Sequence, residues 1–367
     1  MSNKWLRPIL LVLLLMFSMS IESAEQRVLN IYNWSDYIAP ATIENFERHS
    51  GIKVIYDVFD SNDTLEVKLL TGKSGYDIVV PSNNFLARQI QAGLFQPLDK
   101  SKLPLYVNLD PQLMKRLEAS DPDNLYGIPY LWGTTGLGFN VAMLKERLGE
   151  RFPLDSWNLL LDPMISTQLR DCGVGILDAW DELFPIIFNY IGEDPSTHDV
   201  KVFKGEAYRQ MNRLRPNVAT IHSSSYIKDL AAGDLCLALG WVGDVYQART
   251  RALEAGSGID VSYIIPKEGA PIWFDMIAIP KDAPNPDEAH EFINFLLQPE
   301  VIAEISNYVA YPNAVPASKP FLDEALRNNA NIYPDEEVMK RLFVLEVYPA
   351  SIDRFAARLW GRFRAHH

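Results

Sequence analysis

Three short stretches of this chain set an aromatic ring beside a carboxylate. Residues 31–38 read IYNWSDYI and carry Trp34, Asp36 and Tyr37; residues 240–244 read GWVGD and carry Trp241 and Asp244; residues 272–275 read IWFD and carry Trp273 and Asp275. Each lies just past or near the end of an apolar run. Ring faces and carboxylates both attract organic ammonium groups, so the chemistry these residues suit is capture of a cation with an apolar body. Catalytic patterns do not accompany them. None of the six histidines falls in HExxH or in a His/Cys metal spacing, and there is no GxxxxGK[ST] loop or GxSxG turn. The run His222-Ser223-Ser224-Ser225 reads as a strand end and helix cap, because neighbours in sequence do not converge as a triad unaided.

Each residue also has a plainer reading. In IWFDMIAIP the strand alternation puts Trp273, Asp275 and Ile277 on one face. A carboxylate in so apolar a strand is costly unless paired. Its cation is either a local Lys or Arg or an outside ligand, with Trp273 stacked on the attached alkyl chain. Trp34, Ser35, Asp36 and Tyr37 form either a surface turn with a capping Ser or Asp, or one wall of a pocket. Asp244 and Glu182 each fall in a first helical turn, where an acid ordinarily complements the helix dipole. Ser82, after Pro81, reads as a cap, Trp241 could serve as core, and Tyr311 in YVAYPNAV says little by itself.

The elements that must position these residues alternate strand and helix. Strands are expected at 28–33, 53–58 and 76–80, with helices from Pro40 to about Arg48, over 62–70, and from Ser82 to about Ala92. This rhythm argues for a parallel or mixed sheet covered by helices. Residues 125–140, LYGIPYLWGTTGLGFN, break it; they read as paired strands crossing to a second lobe. A second alternation follows: strands at 174–177, 219–223 and 235–240, and helices at 178–190, 204–214, 224–232 and 242–254. Strands near 261–265 and 272–279 then return to the first lobe. The tail reads as helices at 285–297, 299–307, 318–328, 335–343 and 350–364. The expected division is 27–133 plus 258–312 for the first lobe and 134–257 plus 313–367 for the second. Ligands of open α/β sheets bind beyond the carboxyl ends of strands, where the three clusters fall.

Residues 1–24 read as an export signal: Lys4 and Arg7 precede a short apolar core at 9–19, and cleavage is expected at about 20–26. That core is too short to span a bilayer, and no later segment is long and apolar enough. Losing residues 1–20 removes two positive charges and takes the net charge from −13 to −15. So acidic a chain is a poor partner for nucleic acid, and its charge either attracts cations or only keeps a secreted protein soluble, the plainer reading on composition alone. At roughly 340 residues without the signal, and 48% hydrophobic, the chain suits two domains with substantial cores. The two cysteines, Cys172 and Cys236, are either a disulfide or two buried thiols; an oxidising compartment favours the bridge.

From about Val28 onward the chain resembles the periplasmic polyamine-binding proteins of bacterial ABC importers, the putrescine-binding type above all. The matching stretches are IYNWSDYIAP (31–40), GIKVIYDVFDSN (51–62), YDIVVPS (76–82), FQPLDKSKLP (95–104), CGVGILDA (172–179), GWVGDVYQA (240–248), IPKEGAPIWFDM (265–276) and IYPDEEV (332–338). The resemblance implies an α/β type II periplasmic-binding-protein fold, two lobes with a hinged ligand cleft. It implies an aromatic box of Trp34, Tyr37, Trp241, Trp273 and Tyr311. Asp36, Asp244, Asp275 and Glu182 would hold the amines, with polar contacts from Ser35 and Ser82, and Cys172 would be bridged to Cys236. Trp180, Asn83-Asn84 and Tyr311-Pro312 depart from the family pattern near the presumed ligand ends.

The sequence therefore predicts a monomeric, non-enzymatic periplasmic receptor that needs no cofactor or metal. Its ligand is a linear polyamine, putrescine before spermidine, which it delivers to the membrane subunits of an ABC importer. A receptor for another organic cation, a polyamine sensor and a secreted amine-acting enzyme are the rivals; the last would need a general base and a reactive partner.

Overall fold

The computed structural model describes residues 26–365, so the expected export signal lies outside the described residues. Among the described residues ten strands form the sheet framework. They are β1 (Val28–Trp34), β2 (Lys53–Phe59), β3 (Ile78–Val79), β4 (Gly127–Asn140), β5 (Val174–Ile176), β6 (Thr220–Ile221), β7 (Leu237–Trp241), β8 (Val261–Ile264), β9 (Ala270–Ala278) and β10 (Leu342–Val344). The order is β2-β1-β3-β9-β4-β7-β5-β6, with β10 beside β9 and β8 beside β4. At one end β1 runs parallel to β2 and β3, and at the other β5 runs parallel to β6 and β7. Between them β4 and β9 pair antiparallel to each other, β9 antiparallel to β3 and β4 antiparallel to β7 and β8, while β10 joins β9 in parallel.

Parallel strands covered on both faces read as unbroken apolar runs, and here β3, β5 and most of β7 are buried. Helices supply the cover. Pro286–Leu296 packs on β1, and Val242–Glu254 lies across β4, β7 and β8. Among the described residues no helix is long and apolar enough to cross a membrane.

Three expectations need correction. Residues 125–140 are not a pair of strands but the single 14-residue strand β4. Its residues 127–134 pair with β9, and from Thr135 onward it pairs with β7 and β8. The only register shift falls between Pro129 and Leu131, where proline has no N–H for the ladder. Secondly, β8, expected with the first lobe, pairs with the far half of β4, on the side of β7. Thirdly, the tail is less helical than expected. Residues 318–328 and 335–343 make only short pieces of one or two turns, Pro316–Phe321, Glu324–Arg327 and Glu336–Met339, before β10. Prolines 316, 320 and 334 and the polar run Asn328-Asn329 interrupt helix propagation. The tail is also shared: Leu131 bridges to Asn313 and β10 joins β9, whereas helix Ala350–Ala365 packs on helices Trp180–Tyr190 and Tyr208–Leu214.

Cys172 and Cys236 form a disulfide with Cα atoms 5.5 Å apart, spanning 64 residues. It fastens the start of β5 to the start of β7, where the Cys236 amide donates to the Cys172 and Gly173 carbonyls. Replacing both cysteines with serine should lower unfolding free energy by roughly 4 kcal/mol, the chain-entropy value for a loop of this length. Denaturant titration of the two forms measures this; a loss below about 1 kcal/mol would show that the bridge adds little constraint.

Candidate functional site

β1 ends at Trp34 and the chain turns sharply, with Asp36 in the left-handed region at φ 53°. The turn brings Tyr37 back under the sheet, 5% exposed. Its hydroxyl donates to Asp275 Oδ2 at 2.8 Å, and the Ser82 hydroxyl donates to Asp275 Oδ1 at 2.6 Å. Ser82 does precede a helix, Asn83–Gln91, yet its side chain makes no cap hydrogen bond. It faces Asp275 across an isolated bridge between the two residues and is itself held by Asn62 Nδ2 at 3.0 Å. Asp275 sits inside β9, whose nine residues are all buried. No Lys or Arg pairs with it among the described residues, so the local salt bridge that sequence left open is absent.

The second carboxyl, Glu182, comes from the first turn of helix Trp180–Tyr190, yet it turns inward and is 7% exposed. The Trp241 indole N–H donates to its Oε1 at 2.9 Å, and the Thr135 hydroxyl donates to Oε2. Thr135 also accepts from the Trp273 indole N–H at 3.2 Å. This threonine stands where β4 changes partners, so one hydroxyl ties Glu182 and Trp273 to the crossing strand. The third carboxyl, Asp244, opens helix Val242–Glu254 and is also buried. It accepts from the Tyr311 hydroxyl at 2.7 Å and the Tyr226 hydroxyl at 2.9 Å.

The rings close into a box. Trp34 meets Trp241 at 5.8 Å between centroids, Trp241 meets Trp273 at 6.5 Å, Trp273 meets Tyr311 at 5.5 Å, and Tyr311 meets Tyr37 at 5.2 Å, all edge to face. Two glycines make the close approach possible. A Cβ at Gly133 would fall 2.8 Å from a Trp273 ring carbon, and one at Gly243 would overlap the Tyr311 ring.

All eleven residues singled out from sequence border one cavity. Not all are alike. The Ser35 hydroxyl donates to the Phe59 carbonyl at 3.3 Å. Asp36, expected to hold an amine without an internal counter-ion, is half-exposed and pairs with Arg251 at 3.2 Å. Arg251 is close enough because helix Val242–Glu254 also offers Gln247 to the Asp36 carbonyl at 3.5 Å. The cavity is further bordered by Asp60, Asp181 and Leu345, which sequence reasoning did not single out, by Asn84, which it marked only as a departure from the family pattern, and, among the described residues, by no Lys or Arg. Asp181 adjoins Glu182, and that adjacency was the one available signal. Thr135 and Tyr226 hold the carboxyls without any sequence pattern to mark them.

Burial dominates the electrostatics. It pushes Asp275 and Glu182 up to about 7 and Asp244 up to about 6, against hydroxyl and indole donors that pull the other way. Three carboxyls thus share a low-dielectric site with neutral donors only, which favours an incoming cation. Among the described residues no group of three or more His, Cys, Asp or Glu could hold a metal ion. His222 lies apart from any nucleophile–base pair; its Nδ1 accepts from the Ser224 and Ser225 amides at the start of helix Ser225–Ala232.

A model of the bacterial extracellular solute-binding protein family matches residues 41–332, and the chain belongs to this family. Its architecture is that of a type II periplasmic-binding fold. Among relatives, it is 50% identical to the putrescine-binding periplasmic protein PotF of Escherichia coli, covering 100% of this chain and 99% of that one. It is also 50% identical to the putrescine-binding periplasmic protein SpuD of Pseudomonas aeruginosa, over 94% of each. The structure of the spermidine/putrescine transporter's substrate-binding protein PotD from Streptococcus pneumoniae superposes with a TM-score of 0.76 at 28% identity, covering 92% of this chain and 99% of that one.

A raised acid contributes stability below its unfolded pKa, and that contribution is lost as pH rises through the folded value. For Asp275 the window runs from about 4 to about 7. Without ligand, Asp275→Asn should therefore melt higher than the parent at pH 8, with the advantage vanishing by pH 4. Thermal melts at the two pH values check this; an advantage that does not change with pH would contradict it.

Proposed function

We propose that this chain is an exported receptor that captures a linear polyamine and presents it to the membrane subunits of an ABC importer. The observation that carries this reading is the set of three buried carboxyls, Asp275, Glu182 and Asp244, whose hydrogen bonds, among the described residues, come only from hydroxyl and indole groups. Trp34, Tyr37, Trp241, Trp273 and Tyr311 sandwich the methylene chain, and the carboxyls, with Ser82, take the ammonium ends. Putrescine, the diamine in the names of the two relatives at 50% identity, is the favoured ligand. Each desolvated cation–aromatic contact contributes about 0.5–2 kcal/mol. Several of these plus charge-assisted hydrogen bonds reach the roughly −8 kcal/mol of micromolar binding.

Nothing in the arrangement asks for catalysis. Among the described residues the Ser82 hydroxyl, which donates to Asp275 and accepts from Asn62, has no histidine hydrogen-bonded to it, and each acid is fixed by donors instead of facing a nucleophile. Asp36 has a different part from the other acids. Paired with Arg251, it fastens the turn after β1 to helix Val242–Glu254, joining the two sides of the cleft over the bound ligand. The lobes hinge where β4 and β9 cross between the two parallel ends of the sheet. The closed form is what the importer recognises.

A hydrogen bond to a charged group contributes about 1.5–3 kcal/mol, so Asp275→Asn should weaken putrescine binding roughly tenfold or more. Calorimetry measures this directly, and unchanged affinity would remove Asp275 from the site. The raised carboxyls add a pH signature. An ammonium favours their ionised forms, so binding below about pH 7 must expel protons. Affinity should fall as pH drops from 8 to 5.5, and heats measured at pH 6 should depend on the ionisation enthalpy of the buffer. Heats independent of buffer at pH 6 would contradict carboxyls that are protonated before binding.

A further inference from the structure

Thr135 is fully buried where β4 leaves β9 and takes up β7. Side chains of a strand alternate between its faces, so Gly133 and Thr135 share one face of β4. The register sets Gly133 opposite Trp273 on β9 and Thr135 opposite Trp241 on β7. Facing residues of an antiparallel pair project to the same side. The glycine leaves room for the Trp273 ring, and the threonine hydroxyl receives that ring's N–H at 3.2 Å. The same hydroxyl donates to Glu182 Oε2, and Trp241, from the facing position, donates to Oε1 at 2.9 Å. One face of the crossing strand thus gathers two indoles and one acid of the box, although Thr135 is not itself among the residues that border the cavity.

The direction of each bond follows from the groups that make it. An indole N–H donates and cannot accept. Trp273 therefore takes the acceptor side of the Thr135 oxygen, and the single hydroxyl proton goes to Glu182. Trp241 fixes the other Glu182 oxygen as an acceptor in the same way. Both oxygens are met by protons whose direction is set elsewhere, which suits the carboxylate and opposes the acid. The remaining surroundings work the other way. Burial is the largest influence on Glu182 and raises it, and the charge of Asp275 raises it further. The titratable groups that face it are Asp181 on its own helix, Asp275 on β9, Tyr226 on helix Ser225–Ala232 and Tyr263 on β8, none of them cationic. Among the described residues Thr135 and Trp241 are the two side chains that donate to Glu182.

We propose that Thr135 is a positioning residue for ligand capture: its hydroxyl, fixed in direction by the Trp273 indole, orients the Glu182 carboxyl and lowers the cost of ionising it when an ammonium arrives. The proposal rests on the polyamine reading of the box and adds to it a residue that acts only through Trp273 and Glu182. A ring that stacks on the ligand and an acid that takes its charge are then set by one proton on the strand that joins them.

Thr135→Val keeps the branched shape and removes the hydroxyl, whereas Thr135→Ser keeps the hydroxyl and removes the methyl group. In the ligand-free chain, carboxyl-carbon NMR of Thr135→Val should show Glu182 titrating roughly one pH unit higher than in the parent, the effect of one lost hydrogen bond to a charged group. The Trp273 indole N–H resonance should move as well, and Asp244, whose donors are Tyr226 and Tyr311, should titrate as in the parent. By calorimetry, Thr135→Val should bind putrescine roughly tenfold more weakly at about pH 6, with the deficit fading by about pH 9, where Glu182 is ionised in both chains. Thr135→Ser should restore the titration and most of the affinity. Thr135→Ala carries the same test if Thr135→Val does not fold. A deficit of equal size at both pH values, or one that Thr135→Ser shares in full, would show that the side chain only packs and would overturn the proposal, as would a Glu182 titration that Thr135→Val leaves unmoved. A parent chain that bound no amine would overturn the polyamine reading, while the ligand-free titration would still decide what Thr135 does to Glu182.

Discussion

A buried carboxyl without a cation is the constraint on which the rest of this structure depends. Removing an ionised acid from water is costly unless opposite charge or hydrogen bonds compensate. Asp275, Glu182 and Asp244 receive two donors each, all of them neutral. That supply is enough to fix their geometry and not enough to keep them ionised, as their upward shifts record. The free protein therefore holds a site less stable than an apolar one would be, and a cation relieves it. Stability given up at a binding site is a recurrent trade in proteins.

The framework makes that constraint tolerable by over-determining the positions of the acids. β9 carries Trp273 and Asp275 on one face, and β4 beside it brings Gly133 and Thr135 to the same place. Because β4 is one continuous strand, its single Thr135 hydroxyl links Trp273 to Glu182 across the change of partners from β9 to β7. Tyr311 then reaches Asp244 over a glycine that leaves room for its ring. The rings meet edge to face and all border the cavity, where ring faces suit a methylene chain or an ammonium.

Much of this was legible in the sequence. The alternation of strand and helix, the aromatic–acid clusters and the eleven residues around the cavity follow from pattern and resemblance, and all eleven border the cavity. What could not be read has physical reasons. A strand of 14 residues that changes partners midway carries the same Gly-rich, aromatic signature as a hairpin, so pattern alone does not tell β4 from a pair of strands. Thr135 and Tyr226 matter through one hydroxyl each, and no spacing rule marks a lone hydroxyl. The plain reading of Ser82 as a cap failed because Asp275, 193 residues away, competes for its hydroxyl. Asp36 kept its place and lost its independence, since Arg251 comes near only once helix Val242–Glu254 has packed.

The most direct test of the central claim is to follow the carboxyl carbons of Asp275, Glu182 and Asp244 by NMR as pH is varied, with and without putrescine. Without ligand, the three should titrate between about 6 and 7, well above ordinary carboxyls. With putrescine bound, they should remain ionised down to pH 5. Carboxyls that titrate near 4 in the free protein, or whose titration putrescine leaves unmoved, would contradict the account.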